Sequence, residues 1–168
     1  RELAATAISE VEKLASTASW RYTDADDLTC LGEVALLLGA DPKAVQEGFF
    51  ERARRNYPNR PEGFLAAARL ALDKGDPAFA AELLKPVLQT FPDNAEMLFL
   101  YSEALADSDD QQSLQLRVQA LEKNPQLFPA LQRIAEQQID AGAGPLDLAC
   151  LAITPLVDTL GSCCRFPL

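Results

Sequence analysis

The chain has 168 residues, of which 48% are hydrophobic and 24% charged, and its formal net charge is −10. This composition is typical of a folded soluble protein and excludes wholesale disorder. The negative charge argues against nucleic acid and against an acidic membrane surface as partners, because both are bound mainly through Lys and Arg. Two interpretations of the charge remain open: it keeps the chain soluble, or it is selected for a basic partner.

Helical patterns follow one another along the chain, in which Ala and Leu are frequent. Both residues lose little entropy on entering a helix. We predict a leading helix over 2–16, followed by Trp20 and Tyr22, which are either an exposed contact or, as we favour, a lid on the first core layer. The helix pairs predicted after it lie at 26–38 with 42–56, 61–74 with 77–90, 95–106 with 110–123, and 127–141 with 146–160.

Three similar segments end in Pro58, Pro92 and Pro125, which lie 34 and 33 residues apart. A small residue stands five positions before each proline. A proline just past a helix cannot continue it, so each one marks the end of the second helix of a unit. The spacing predicts a repeat of about 34 residues that is built from two helices.

The clearest unit runs over 61–94, and its first helix carries small and aromatic residues at three- and four-residue steps, which is the pattern of a buried face. Gly75 is predicted to take the left-handed conformation after it, Asp76 to cap the next helix, and Pro77 to occupy its first position. Pro86 is expected to kink that second helix.

The unit from Pro61 to Asn94 resembles a tetratricopeptide repeat. The family's aromatic, small, turn and terminal positions are occupied by Phe64, Ala68, Gly75-Asp76, Ala80 and Pro92. Gly39 with Asp41-Pro42 makes a similar turn in the preceding unit, and Leu31-Gly32 is similar to the family's Leu-Gly pair. Residues 95–126 form a weaker copy, in which Ser113 replaces the turn-facing Ala.

The resemblance implies an all-α protein with the architecture of an α-α superhelix. We predict a leading helix and linker over 1–24, three to four repeats over 25–142, and a C-terminal helix with an irregular tail over 143–168.

In this family the first helices line a concave groove that binds peptides. The positions that the family usually presents to the groove imply a set of contact residues, and these are Glu62, Leu65, Arg69, Asp73, Glu96, Phe99, Leu100, Glu103, Asp107, Arg133, Glu136 and Asp140.

Three of these positions, Asp73, Asp107 and Asp140, carry carboxylates where some relatives use a cation to hold a peptide's terminal carboxylate. Carboxylates there would repel an acid, so the groove is predicted to prefer a basic or apolar segment, with Arg69 as a local anchor. The alternative is that the three residues only solvate a turn or cap the following helix.

Catalysis is not expected within these residues, because the chain has no His and no phosphate-binding glycine loop. We predict no cofactor and no metal. The acidic clusters at 24–27 and 107–110 lack the Gly and Glu of a calcium loop and are predicted to be helix caps.

The cysteines do not have the paired spacing of a zinc site. Cys30 and Cys150 are expected to be small core residues, and Cys163 and Cys164 to be incidental thiols at an irregular end. The longest apolar stretch has about half the ~20 residues of a membrane span. A reducing, cytoplasmic location is expected, although the chain begins at Arg1, which leaves a cleaved leader open.

The repeat pattern predicts a scaffold that binds a protein or peptide, and neither the partner nor the oligomeric state follows from it. Two alternatives stay open. One is a non-catalytic segment of a larger enzyme, because large bacterial multi-repeat proteins, some joined to a peptidase-like domain, show loosely similar stretches. The other is a spacer or self-association element.

Overall fold

The computed structural model describes residues 24–140 together with Thr6 and Gly142. In this part of the chain the protein is all-α, and no β-strand occurs in it. No helix in the same residues is both long and apolar enough to cross a membrane. The helices are α1 (Ala25–Leu37), α2 (Pro42–Val45), a π-helical segment (Gln46–Phe50), α3 (Glu51–Asn56), α4 (Glu62–Asp73), α5 (Pro77–Val87), α6 (Ala95–Leu105), α7 (Asp110–Lys123) and α8 (Phe128–Asp140).

The chain divides into two compact units, Arg1–Val87 and Leu88–Leu168, which we call unit 1 and unit 2. Helices α1 to α5 belong to unit 1, and helices α6 to α8 belong to unit 2. The helices predicted at 2–16 and 146–160, the aromatic lid, and the three C-terminal cysteines lie outside the described residues.

The same kind of turn occurs twice in unit 1, where it joins α1 to α2 and α4 to α5. Gly39 and Gly75 both have positive φ angles, 89° and 74°, and each follows the last turn of a helix. Asp41 and Asp76 then cap the next helix, and each accepts a hydrogen bond from the backbone N–H three residues later, at 3.1 and 3.0 Å. A proline at the first helical position follows both aspartates. The turns predicted from the sequence are therefore confirmed.

Most helix boundaries also agree with the predicted ones to within a residue, since the caps that define them are local. The acidic clusters act as caps as predicted: Asp24 accepts from the N–H of Asp27 at 3.0 Å, and Asp109 from the N–H of Gln112 at 2.9 Å. Helix α5 is shorter than predicted, because it ends one residue after the internal Pro86.

The prediction of one regular α-helix over 42–56 is wrong in the middle of that range. There Gln46–Phe50 form a π-helical segment, and the N–H of Glu51 donates to the carbonyl of Gln46, five residues earlier. Consecutive side chains diverge by about 100° on a regular α-helix. The wider π-helical turn reduces that angle, and the adjacent Phe49 and Phe50 are both buried in the core.

Two glycines bring the helices of unit 1 into close contact. A Cβ atom on Gly32 of α1 would lie 2.5 Å from Cε1 of Phe50 and 3.1 Å from Cβ of Phe49. A Cβ atom on Gly63 of α4 would lie 3.0 Å from Cβ of Ala53 on α3. A side chain at Gly32 would therefore overlap the ring of Phe50, and one at Gly63 would be tightly packed against α3. The buried core around them consists of Ala35, Val45, Phe49, Phe50, Ala66, Ala67 and Leu70.

Helix α1 turns its opposite face to solvent. Cys30 is exposed as a free thiol, so its prediction as a core residue is wrong. The reason is helical phase, because the buried face of α1 is formed by Leu28, Gly32 and Ala35, and Cys30 falls between those positions on the other side.

In unit 2 two buried serines link α6 and α7. The Ser113 hydroxyl donates to the carbonyl of Ser102 at 2.9 Å, and the Ser102 hydroxyl donates to the carbonyl of Phe99 at 2.6 Å. Both side chains are fully buried. A buried hydroxyl is tolerated when it is hydrogen-bonded, which explains why Ser113 can stand where the repeat pattern has Ala.

We expect Gly32→Ala to lower the free energy of unfolding by about 1–3 kcal/mol, because the methyl group would overlap the ring of Phe50. Gly48→Ala is the matched control, since a Cβ atom added there would meet no atom within 4 Å. That change should raise the free energy by ~0.5–1 kcal/mol, as Gly is a poor helix former. Urea denaturation followed by circular dichroism measures both, and equal effects at the two sites would contradict the close contact.

Candidate functional site

The predicted groove residues lie on α4, α6 and α8 or just after them, and their burial separates them into two groups. The apolar members Leu65, Phe99 and Leu100 are only 7–9% exposed and belong to the cores of their units. Little of these three side chains is therefore left for a partner to contact. The charged members are exposed or half-buried, so they are the predicted groove residues that a partner can reach.

In unit 1 two of the charged groove residues, Glu62 and Arg69, have neighbours of opposite charge. Nη1 of Arg69 on α4 lies 3.4 Å from Oε1 of Glu33 on α1. Nε of Arg60 lies 3.7 Å from Oε2 of Glu62, and Nη2 of the same arginine lies 3.0 Å from Oδ2 of Asp26. The Arg69–Glu33 and Arg60–Asp26 pairs are largely exposed, so each contributes little to stability.

A cavity of about 580 Å³ lies between the C-terminal ends of α1 and α4, and we call it the acidic cavity. Two carboxylates, of Glu33 and of the predicted groove residue Asp73, line it. Leu37 stands at this cavity with 87% of its surface exposed. The lining residues are Glu33, Leu36, Leu37, Gly39, Ala40, Pro42, Leu70, Asp73 and Lys74.

A second cavity of unit 1, of about 480 Å³, lies beside the π-helical segment and the turn between α4 and α5, and we call it the lysine cavity. Its wall is mostly apolar and includes the partly exposed ring of Phe79. Its lining residues are Pro42, Lys43, Gln46, Leu70, Ala71, Lys74, Asp76 and Phe79.

The sequence interpretation identified Asp73 but missed Glu33 and Leu37. A signal for the leucine was present, because Leu36, Leu37 and Leu38 are consecutive and one face of a helix cannot bury three successive residues. No comparable signal marked Glu33, whose role depends on α4 packing beside α1.

Gln46 contributes an unusual polar group to the lysine cavity. Its side-chain Nε2 and Oε1 are both inaccessible to solvent, and neither has a hydrogen-bond partner among the described residues. A buried amide without partners is unfavourable by about 1–3 kcal/mol. Gln46 is also the first residue of the π-helical segment, and such segments often occur at functional sites.

We expect Gln46→Met to raise the free energy of unfolding by about 1 kcal/mol, because Met keeps the length of the side chain and removes the unsatisfied amide. Gln119→Met, at an exposed position of α7, is the control and should change stability by less than ~0.5 kcal/mol. Thermal and urea unfolding of both variants tests this. A loss of stability in Gln46→Met would mean that the amide is satisfied, for example by a bound water.

In unit 2 the groove residue Glu103 lies between two arginines. Its Oε1 is 3.3 Å from Nη2 of Arg117, whose side chain is only 6% exposed. Its Oε2 is 2.7 Å from Nη2 of Arg133 and accepts a hydrogen bond from Nε of the same residue at 2.8 Å. The hydrogen bond to Glu103, together with its charge, raises the pKa of Arg133 above its ordinary value. Glu103 thereby joins α6 to both α7 and α8.

Further hydrogen bonds extend this network. Nη1 of Arg117 donates to Oε1 of Gln137 at 3.2 Å, and Nε2 of Gln137 donates to Oδ1 of Asp110 at 2.9 Å. Nη1 of Arg133 lies 3.4 Å from Oε2 of Glu136. Three predicted groove residues of unit 2 are therefore bonded to one another or to the core.

The other polar groove residues of unit 2 are placed differently. Asp107 and Asp140 are exposed or half-buried at helix ends, and Glu96 is half-buried in the first turn of α6. None of these three residues lines either of the two cavities of unit 1. Across the same part of the chain, no group of three or more acidic or cysteine side chains converges as metal ligands.

We expect Glu103→Ala to lower the free energy of unfolding by about 2–4 kcal/mol, because Arg117 would keep a buried charge without a carboxylate. Asp107→Ala, a carboxylate at the surface, should change it by less than ~0.5 kcal/mol. A double variant, Glu103→Leu with Arg117→Met, should recover much of the loss, because both charges are then gone. Urea denaturation of the three proteins provides the measurement, and a Glu103→Ala protein as stable as the parent would rule out this role.

No protein-family model matches this chain, and no curated protein matches it. What can be said of its function therefore depends on the repeat pattern, the turns and the side chains that line the two cavities of unit 1.

Proposed function

We propose that the protein is a non-catalytic binding module of the tetratricopeptide type, and that unit 1 takes up a basic and apolar segment of a partner protein at the acidic cavity. The observation that carries this proposal is the composition of that cavity. It combines two carboxylates, of Glu33 and Asp73, with an apolar wall that includes the exposed Leu37.

The wall and the carboxylates suit different parts of the same segment. An apolar side chain of the partner would cover Leu36, Leu37 and Ala40, which removes apolar surface from water. An arginine or lysine beside it would meet the carboxylates of Glu33 and Asp73. Lys74 also lines the cavity, and Glu33 lies 3.4 Å from Nη1 of Arg69. A cation of the partner would therefore be held mainly by Asp73 and would compete with Arg69 for Glu33.

The fold proposal, an α-α superhelix of tetratricopeptide-like repeats, is supported by the recurrence of one turn. Gly39 and Gly75 take the same left-handed conformation, and each is followed by a capping Asp and a Pro. Repeats of this kind stack helix pairs and present the first helix of each pair to a binding face. Helices α1 and α4, which line the acidic cavity, are the first helices of their pairs.

We expect the blocked peptide Arg-Leu-Ala-Gln to bind the parent protein more tightly at low than at high salt, and Asp73→Lys to weaken this binding roughly tenfold. The matched control is Asp107→Lys, because it makes the same change at the equivalent position of the repeat pattern in unit 2, at an exposed residue that does not line the acidic cavity. A labelled peptide and fluorescence anisotropy give the affinities.

Equal weakening by Asp73→Lys and Asp107→Lys would indicate a general charge effect and contradict a site at the acidic cavity. Failure of the parent protein to bind at either salt concentration would contradict the proposed function altogether. In that case a spacer or self-association role becomes the better interpretation, and the exposed Phe128 of unit 2 would be the residue to test first.

A further inference from the structure

The two cavities of unit 1 adjoin each other. Pro42, Leu70 and Lys74 line both of them, so a ligand that fills one cavity reaches the edge of the other without leaving the surface of the unit. Their charged linings differ, because carboxylates predominate in the acidic cavity and two ammonium groups, of Lys43 and Lys74, occur in the lysine cavity.

Neither lysine is neutralised within the part of the chain that the structure describes. No carboxylate there forms an ion pair with Lys43 or Lys74. The one carboxylate that lines the lysine cavity, that of Asp76, instead accepts the N–H of Phe79 at 3.0 Å and caps α5. In a chain with a net charge of −10, two such lysines beside an apolar wall form a local site for an anion.

We propose that the two cavities form one bipartite site, which takes a peptide segment with a basic residue at one end and a carboxylate at the other. This inference rests on the proposed function and specifies its partner further. The basic residue occupies the acidic cavity, the carboxylate meets Lys43 and Lys74, and an apolar residue between them packs on Leu70 and Phe79.

The sizes of the cavities set the spacing of the two charges. Cubes with the volumes of 480 and 580 Å³ have edges of about 8 Å, a distance that an extended chain crosses in about two to three residues at ~3.3 Å each. The basic and acidic residues of the segment are therefore expected two or three positions apart. A basic and an acidic residue at this spacing distinguish the proposed partner segment from a purely basic one.

The side-chain amide of Gln46 offers hydrogen bonds to the main chain of such a segment. Its amide is a donor and an acceptor, both without partners in the described part of the chain, and a peptide unit offers one acceptor and one donor in return. The amide is enclosed in the free protein, so its side chain has to rotate toward the cavity that it lines before it can reach the peptide. Binding then supplies hydrogen-bond partners to the Gln46 amide, which has none among the described residues of the free protein.

The test compares blocked peptides that differ in one charge each. Arg-Leu-Ala-Glu carries both charges, Arg-Leu-Ala-Gln only the cation, and Gln-Leu-Ala-Glu only the anion, and each is also made in reverse order because the chain direction is not specified. Titration of the ¹⁵N-labelled protein, followed by two-dimensional NMR, gives the affinities. The amides of Gly39, at the acidic cavity, and Gly75, beside the lysine cavity, report each half separately.

We expect Arg-Leu-Ala-Glu, in one of the two orders, to bind about threefold to fivefold more tightly than Arg-Leu-Ala-Gln, the gain typical of one exposed ion pair. The double variant Lys43→Gln/Lys74→Gln should bind the two peptides with equal affinity. It should bind Arg-Leu-Ala-Gln at least as tightly as the parent protein does. Lys85→Gln is the matched control, because this lysine of α5 is exposed and lines neither cavity. Gln46→Met should weaken all the peptides that contact the lysine cavity.

The outcomes separate this inference from the proposed function. Equal affinity for Arg-Leu-Ala-Glu and Arg-Leu-Ala-Gln would overturn the bipartite site and leave a basic-segment site intact. A gain from the acid that survives in the double lysine variant would also overturn it, because the carboxylate would then bind elsewhere. Absence of binding by every peptide would overturn both proposals.

Discussion

The close approach of helices over Gly32 and Gly63 is the constraint on which the rest of unit 1 depends. At both positions a methyl group would already crowd the neighbouring helix, so the backbones lie closer than side chains would normally permit. This contact fixes α1 against the π-helical segment and α4 against α3. The acidic cavity opens between the C-terminal ends of α1 and α4, and the lysine cavity opens between the end of α4, the start of α5 and the segment that begins at Pro42.

The two units use charged residues of their first helices in different ways. In unit 2, Glu103 is enclosed between Arg117 and Arg133, and its charge serves to join three helices. Removing one member of such a group leaves an uncompensated buried charge, which makes these positions structural. In unit 1, by contrast, Glu33 and Asp73 line a cavity that is open to solvent. The charged residues predicted to line one groove are therefore not equally available to a partner.

Irregular features of unit 1 gather at the lysine cavity. Gln46 has a buried amide that no described residue satisfies and begins a π-helical segment, and Phe79 exposes part of its ring nearby. The buried amide is unfavourable for the free protein, and π-helical segments are frequent at functional sites. Their coincidence in one cavity, together with two lysines that no described carboxylate pairs, is the reason for assigning that cavity to the partner segment.

The sequence by itself determined the helices and the turns, because these depend on neighbouring residues. Gly75 followed by Asp76 and Pro77 specifies the end of one helix and the start of the next without reference to the rest of the chain. The helix at 110–123 was predicted to the residue for the same reason. The π-helical segment, the exposure of Cys30 and the network around Glu103 were decided only by the tertiary structure. The network depends on how three successive helices pack, and the exposure of Cys30 depends on which face of α1 the other helices cover. No local pattern of residues records which side chains such packing will bury or pair.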